Sequence, residues 1–199
     1  MKDIKRICIN CGSNSGLLPE YTEAAGEMGS YLARRGIEIV YGGARVGLMG
    51  TVADSALRNG GHVIGVLPQD LADRVGHTGL SETYVVGSMH ERKQLMFDLS
   101  DGFVALPGGI GTLEELFEIL TWSQLGQHTK PCGLLNVAGF WNKLLCFLDH
   151  CVEHRFLKKA HRDMLLVAES PSVLLGKFGR YENPGVEKWF SPTDTPPLP

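Results

Sequence analysis

No apolar run in the 199 residues approaches the length of a bilayer span, and the opening stretch MKDIKRICIN is too poor in apolar residues for a secretion signal. Neither membrane insertion nor export is expected. Positive charge is not in excess either. Nineteen Lys and Arg against 22 Asp and Glu leave a net charge of −3, without the basic stripe that nucleic acid or an anionic membrane demands. The cysteines are few and odd in number, five in all, which points to reduced thiols in a cytoplasm rather than a disulfide scaffold. Two nucleotide signatures are missing as well. In YGGARVGLMG (41–50), Gly42 and Gly47 have the spacing of a triphosphate loop, but Leu48 stands where the lysine belongs. CGSNSG (11–16) is not G-x-G-x-x-G, and the second strand ends in Tyr41-Gly42 without the acid that holds a dinucleotide ribose. Triphosphate hydrolysis and NAD chemistry are both disfavoured.

What the chain has in surplus is glycine, 25 residues, placed where β-rich runs end. Apolar runs at 6–10, 37–41, 62–68, 82–88, 102–107, 132–137 and 164–170 alternate with helical patterns at 20–36, 48–61, 89–100, 112–124, 140–156 and 171–178. Apolar strands alternating with crossover helices predict an α/β, Rossmann-like doubly wound fold: a mostly parallel sheet with helices on both faces. Residues 1–178 read as a single nucleotide-binding catalytic domain. Residues 179–199 read as a proline-rich tail, extended or disordered.

Three glycine-rich strand exits, 11–16, 41–50 and 107–112, can meet at the carboxyl edge of such a sheet and hold one anionic ligand against helix N-termini. With the triphosphate and dinucleotide signatures absent, a nucleoside monophosphate remains. The last loop leads into Thr112-x-x-Glu115, which by itself reads as a capping box with Thr112 as N-cap. In the alternative reading Glu115 sits one turn beyond a bound phosphate. There a carboxylate, kept ionised by the helix dipole, stabilises the cationic sugar formed as a ribose–base bond breaks. Glu114 and Glu118 read as a solvated face. Arg92 in SMHERKQLM offers a rigid fork for phosphate or for that carboxylate, with Lys93 as a second cation; a wholly solvated helix is the competing reading.

The segments PGGIGTLEEL (107–116), MHERK (89–93), YGGARVGLMG (41–50) and KPCGLLNVAGFWN (130–142) resemble the LOG ("lonely guy") family. These are cytokinin riboside 5′-monophosphate phosphoribohydrolases, also labelled lysine-decarboxylase-like, and the similarity runs from about residue 4 to 171. The resemblance implies a Rossmann-like homodimer that cleaves the N-glycosidic bond of N6-modified AMP, often AMP too, without a cofactor or metal. It implies Arg92 and Glu115 as the catalytic pair. It also implies phosphate binding by Pro107, Gly108, Gly109, Ile110, Gly111 and Thr112. Ser13, Gly42, Gly43, Gly47, Met49 and Gly50 would line the pocket, Lys93 would supply a second cation and Met89 would sit near the base. Arg74 stands where some members carry an acid, with Asp73 and Glu82 nearby, which bears on base preference. The decarboxylase label finds no pyridoxal partner set around Lys93. Two rival functions are a carrier of a nucleotide-like cofactor such as molybdopterin and a deoxyribosyltransferase-like enzyme.

Other signals read as structural. Cys8-x-x-Cys11 lies on a strand, so the two are expected to be buried thiols rather than a redox pair. Cys146, His150 and His154 share a helical face without a distant fourth ligand. Trp122, Trp141, Phe147 and Phe156 are expected in the core or in a dimer contact through the helices carrying Trp122 and residues 140–152.

Overall fold

The structure is a computed structural model and describes residues 4–189. Its seven strands are β1 (Arg6–Asn10), β2 (Glu38–Tyr41), β3 (Val63–Pro68), β4 (Glu82–Val86), β5 (Gly102–Ala105), β6 (Cys132–Leu135) and β7 (Leu165–Ala168). All pairings are parallel, in the order β4-β3-β2-β1-β5-β6-β7. Covered on both faces, the inner strands β1, β2, β3, β5 and β6 carry near-continuous buried runs, while the edge strand β4 is largely exposed. Ile7 and Ile9 of β1 point to a core closed by α1 (Pro19–Arg34), α2 (Gly47–Arg58) and α8 (Pro171–Phe178). Cys8 points to the opposite core, closed by α4 (Met89–Leu99), α5 (Ile110–Gln124) and α6 (Asn142–Glu153). Two short helices, α3 (Gln69–Val75) and α7 (Lys159–Arg162), have no counterpart in the sequence reading. α3 buries no residue, so it leaves no apolar periodicity to detect.

Strand order reverses direction between β1 and β5. Loops leaving the carboxyl ends of these two strands diverge to opposite faces and open a crevice, the position where parallel α/β sheets hold ligands. Gly12 donates its N–H to the Pro107 carbonyl at 3.0 Å and accepts from Leu48 N–H at 3.0 Å, tying the three glycine-rich exits into one floor.

The described part of the tail, 179–189, forms no helix or strand, yet it packs on the body rather than standing free. Tyr181 is buried, Asn183 Nδ2 donates to Ser123 Oγ at 3.2 Å, and His161 Nε2 meets the Val186 carbonyl at 2.9 Å. The rest of the expected tail, 190–199, lies outside the described residues. Among the described residues no helix is long and apolar enough to cross a membrane.

Candidate active site

A cavity of about 400 Å³ occupies the crevice. Its floor is the meeting of two glycine loops, and close approach explains the glycines. A Cβ on Gly108 would stand 2.2 Å from Thr112 Oγ1 and 3.0 Å from Gly12 N. α5 starts at Ile110 with Gly109 as N-cap and no capping side chain, so its first N–H groups have no partner inside the helix, and the residues that carry them line the cavity.

This start corrects the capping-box reading. Thr112 is the third residue of the helix rather than its cap, and Glu115 lies too deep in the helix to reach back to an N-cap amide. The first intrahelical bond runs from Leu113 N–H to the Gly109 carbonyl. Glu115 instead crosses to α4, where Arg92 Nη1 donates to its Oε1 at 3.1 Å. Ser88 caps α4 by accepting from Glu91 N–H, which fixes the first turn from which Arg92 projects. Arg92 Nε donates to the Val66 carbonyl at 3.0 Å, so the guanidinium is held from β3 and from α5 at once. Its Nη2 lies against Gly42, where a Cβ would stand 2.0 Å away.

The Arg92 and Glu115 side chains retain only 9% and 15% of their exposure. Burial pushes the Glu115 carboxyl above the ordinary carboxylate range, with the Arg92 charge pulling it back. The helix dipole alone predicts the opposite direction; desolvation is the larger effect here.

Of the residues expected at the site, Ser13, Gly42, Met49, Arg92, Pro107, Gly108, Gly109, Ile110, Gly111, Thr112 and Glu115 line the cavity. Five do not. Gly43, in the left-handed region, packs on Leu67; Gly47 on the Ser13–Asn14 backbone; Gly50 on the Arg45 carbonyl. At these three positions a side chain would collide with neighbouring chain, and none of them is in the cavity wall. Met89 lies outside the cavity wall and is 45% exposed. Lys93 turns away from the cavity to pair with Glu114 and, at 3.0 Å, with Glu118, so those two carboxylates are not a merely solvated face.

The sequence reading missed Asn10, Tyr21 and Phe140 in the wall. Tyr21 and Phe140 meet edge to face, with ring centroids 5.6 Å apart. Phe140 follows a short 3₁₀ turn (Val137–Gly139) in which Ala138 has φ +48°, a strain signal invisible in sequence. Cys8 and Cys11 are buried free thiols pushed well up by desolvation, and Cys132 is pushed up to about 12, the opposite of reactive cysteines. Among the described residues no cluster of three or more metal-ligating side chains occurs.

A family model described as possible lysine decarboxylase matches residues 49–178. The chain is 48% identical over 179 residues to the probable cytokinin riboside 5′-monophosphate phosphoribohydrolase LOGL6 of Oryza sativa subsp. japonica, covering 89% of this chain and 71% of the relative. It is 47% identical over 180 residues to the cytokinin riboside 5′-monophosphate phosphoribohydrolase LOG7 of Arabidopsis thaliana, covering 89% and 82%. Among solved structures, the molybdenum cofactor binding protein of Rippkaea orientalis shares the fold at a TM-score of 0.68 and 23% identity, covering 90% of this chain and 98% of that one. The Moco carrier protein of Chlamydomonas reinhardtii does so at 0.66 and 22%, covering 88% and 95%. At such identities the likeness concerns the fold alone.

Proposed function

This chain belongs to the LOG family of cytokinin riboside 5′-monophosphate phosphoribohydrolases, and from that premise we propose that it hydrolyses the N-glycosidic bond of adenosine 5′-monophosphates. AMP and N6-substituted AMP such as isopentenyl-AMP are the substrates, and free base and ribose 5-phosphate the products. The observation that carries this reading is the Arg92–Glu115 pair, buried in the wall of a cavity whose floor is an uncapped helix start. Backbone N–H groups at 110–112 suit a phosphate. The carboxylate, one turn further along, suits a sugar that becomes cationic at C1′.

In the step itself, water oxygen bonds to C1′ as the C1′–N9 bond breaks. The bonding pair leaves with the base, and a proton of the water ends on the base. Glu115 holds the water and offsets the developing positive charge. Arg92, anchored to Val66, holds Glu115 in place and keeps Nη2 for the substrate. No lysine lines the cavity among the described residues, which speaks against an imine-forming decarboxylase.

Glu115→Gln is expected to lower kcat by about 10²- to 10³-fold while retaining AMP binding, and Arg92→Ala to damage both. Release of free base followed by chromatography, with calorimetric titration of the nucleotide, reads the two effects apart. A fully active Glu115→Gln protein overturns the assignment. We further place the enzyme in the cytoplasm as a homodimer. Unpaired Cys8, Cys11 and Cys132 support the first, and Phe147 and Phe156, exposed on and just beyond α6, support the second. A monomer mass in sedimentation at micromolar concentration removes the dimer.

A further inference from the structure

Behind the active-site wall lies a second space of about 20 Å³, bordered by Cys8, Lys93, Phe103 and Glu118 among others. Two residues border both this space and the main cavity: Glu115 and Asn10. Asn10 is the last residue of β1 and retains 5% of its exposure. Its position is fixed by the backbone, because its carbonyl accepts from Leu106 N–H at 2.9 Å. One end of its side-chain amide is occupied, Oδ1 accepting from Cys8 Sγ at 3.4 Å. The other end, Nδ2, has no hydrogen-bond partner among the described residues. That nitrogen is not one of the fully enclosed unpartnered side-chain atoms, which among the described residues are Tyr41 Oη, His62 Nδ1 and Trp141 Nε1, so it keeps access to the space around it and can donate a hydrogen bond to a ligand. Core strands rarely hold asparagine, and this one stands beside the carboxylate that the reaction uses.

Resting on the phosphoribohydrolase reading, we propose that Asn10 is a specificity residue that hydrogen-bonds the 2′-hydroxyl of the substrate ribose, making this site selective for ribonucleotides over 2′-deoxyribonucleotides. The stereochemistry of the sugar supports the match. The base leaves from the β face of the ring, so a carboxylate that holds the attacking water lies on the α face, which is the face of the 2′-hydroxyl. A polar group adjoining Glu115 at the floor therefore faces the α-face hydroxyls, and the 2′-hydroxyl, on the carbon next to C1′, is the one nearer to the bond that Glu115 serves. A hydroxyl both donates and accepts, so it satisfies the free end of the amide whichever way the amide is turned.

The test compares AMP with 2′-deoxy-AMP on the full chain and on Asn10→Leu, which keeps the volume and removes the polar atoms. Removing the 2′-hydroxyl makes the N-glycosidic bond intrinsically easier to break, so an enzyme without a contact there cleaves the deoxy substrate faster. The wild type is expected to show kcat/KM at least about tenfold lower on 2′-deoxy-AMP. Asn10→Leu is expected to lose about tenfold on AMP while changing by less than about twofold on 2′-deoxy-AMP. A merely structural role lowers both alike, and equal losses overturn the proposal, as does a wild type that prefers the deoxy substrate. Calorimetric titration with ribose 5-phosphate and 2-deoxyribose 5-phosphate separates this from the parent reading. A ribose preference that Asn10→Leu abolishes supports the contact even if no base is ever released. Should Asn10→Leu fail to fold, equal binding of the two sugar phosphates by the wild type still overturns it.

Discussion

Arg92 and Lys93 are neighbours on α4, and Glu115 and Glu114 are neighbours on α5, yet the two ion pairs they form are different objects. Arg92–Glu115 faces the cavity with both side chains nearly enclosed, and the guanidinium is also tied to the Val66 carbonyl. Lys93 joins Glu114, whose side chain is 52% exposed, and Glu118, on the side away from the cavity. Removing one partner of a buried pair leaves an uncompensated charge and costs about 3–5 kcal/mol, whereas an exposed pair contributes about 0–1. A one-residue shift along each helix thus separates an arrangement that can do chemistry from one that ties two helices together.

The comparison breaks most severely at Gly42. Gly42→Ala places a methyl where Arg92 Nη2 now lies, moving the fork without touching its charge. A displacement of that size is expected to lower kcat/KM on AMP by about 10²-fold, measured as base released, with far-ultraviolet circular dichroism unchanged. The next effect is on stability. Burial raises the folded carboxyl of Glu115, so the folded protein binds that proton more tightly than the unfolded chain does. That contribution is fully present below the ordinary carboxylate range and is lost as pH climbs through the raised folded value. Glu115→Gln stays neutral throughout, so its melting temperature relative to the wild type is expected to rise between pH 4 and pH 8, whatever the pH-independent cost of leaving Arg92 unpaired. Differential scanning calorimetry across that range checks it, and a relative melting temperature that falls as pH rises contradicts it. The smallest effect belongs to the outer pair. Glu114→Gln is expected to shift stability by about 0.5 kcal/mol or less and to leave turnover unchanged, because Glu118 still holds Lys93.

The inner strands were legible because each is an apolar run buried on both faces, the exposed edge strand β4 through its β-branched and aromatic residues, and the helices because glycine or charge interrupts the run. Where the reading failed, the missing information was three-dimensional. Thr112-x-x-Glu115 has the spacing of a capping box, but Gly109 starts the helix earlier with backbone alone, and backbone caps leave no side-chain signature. Gly43, Gly47 and Gly50 look like a ligand loop in sequence, and only the neighbouring Leu67, Ser13 and Arg45 show why they are small. Lys93 points elsewhere on the helical wheel from Arg92, and only the facing helix shows the two carboxylates it meets instead of the site. Asn10 was hidden inside a strand, where a polar residue carries no hint of which space it borders.

The central place of β1 also bears on how the molecule comes into being. β1 gains β2 as a neighbour after a single helix, but its other neighbour, β5, is made only after three further helix–strand units. Contacts that span so much chain close slowly compared with local helix formation. A nascent polypeptide that has not yet released Ala105 from the ribosome carries the first two glycine loops without the third. Ligand competence therefore waits until β5 and the start of α5 have both emerged and closed on β1.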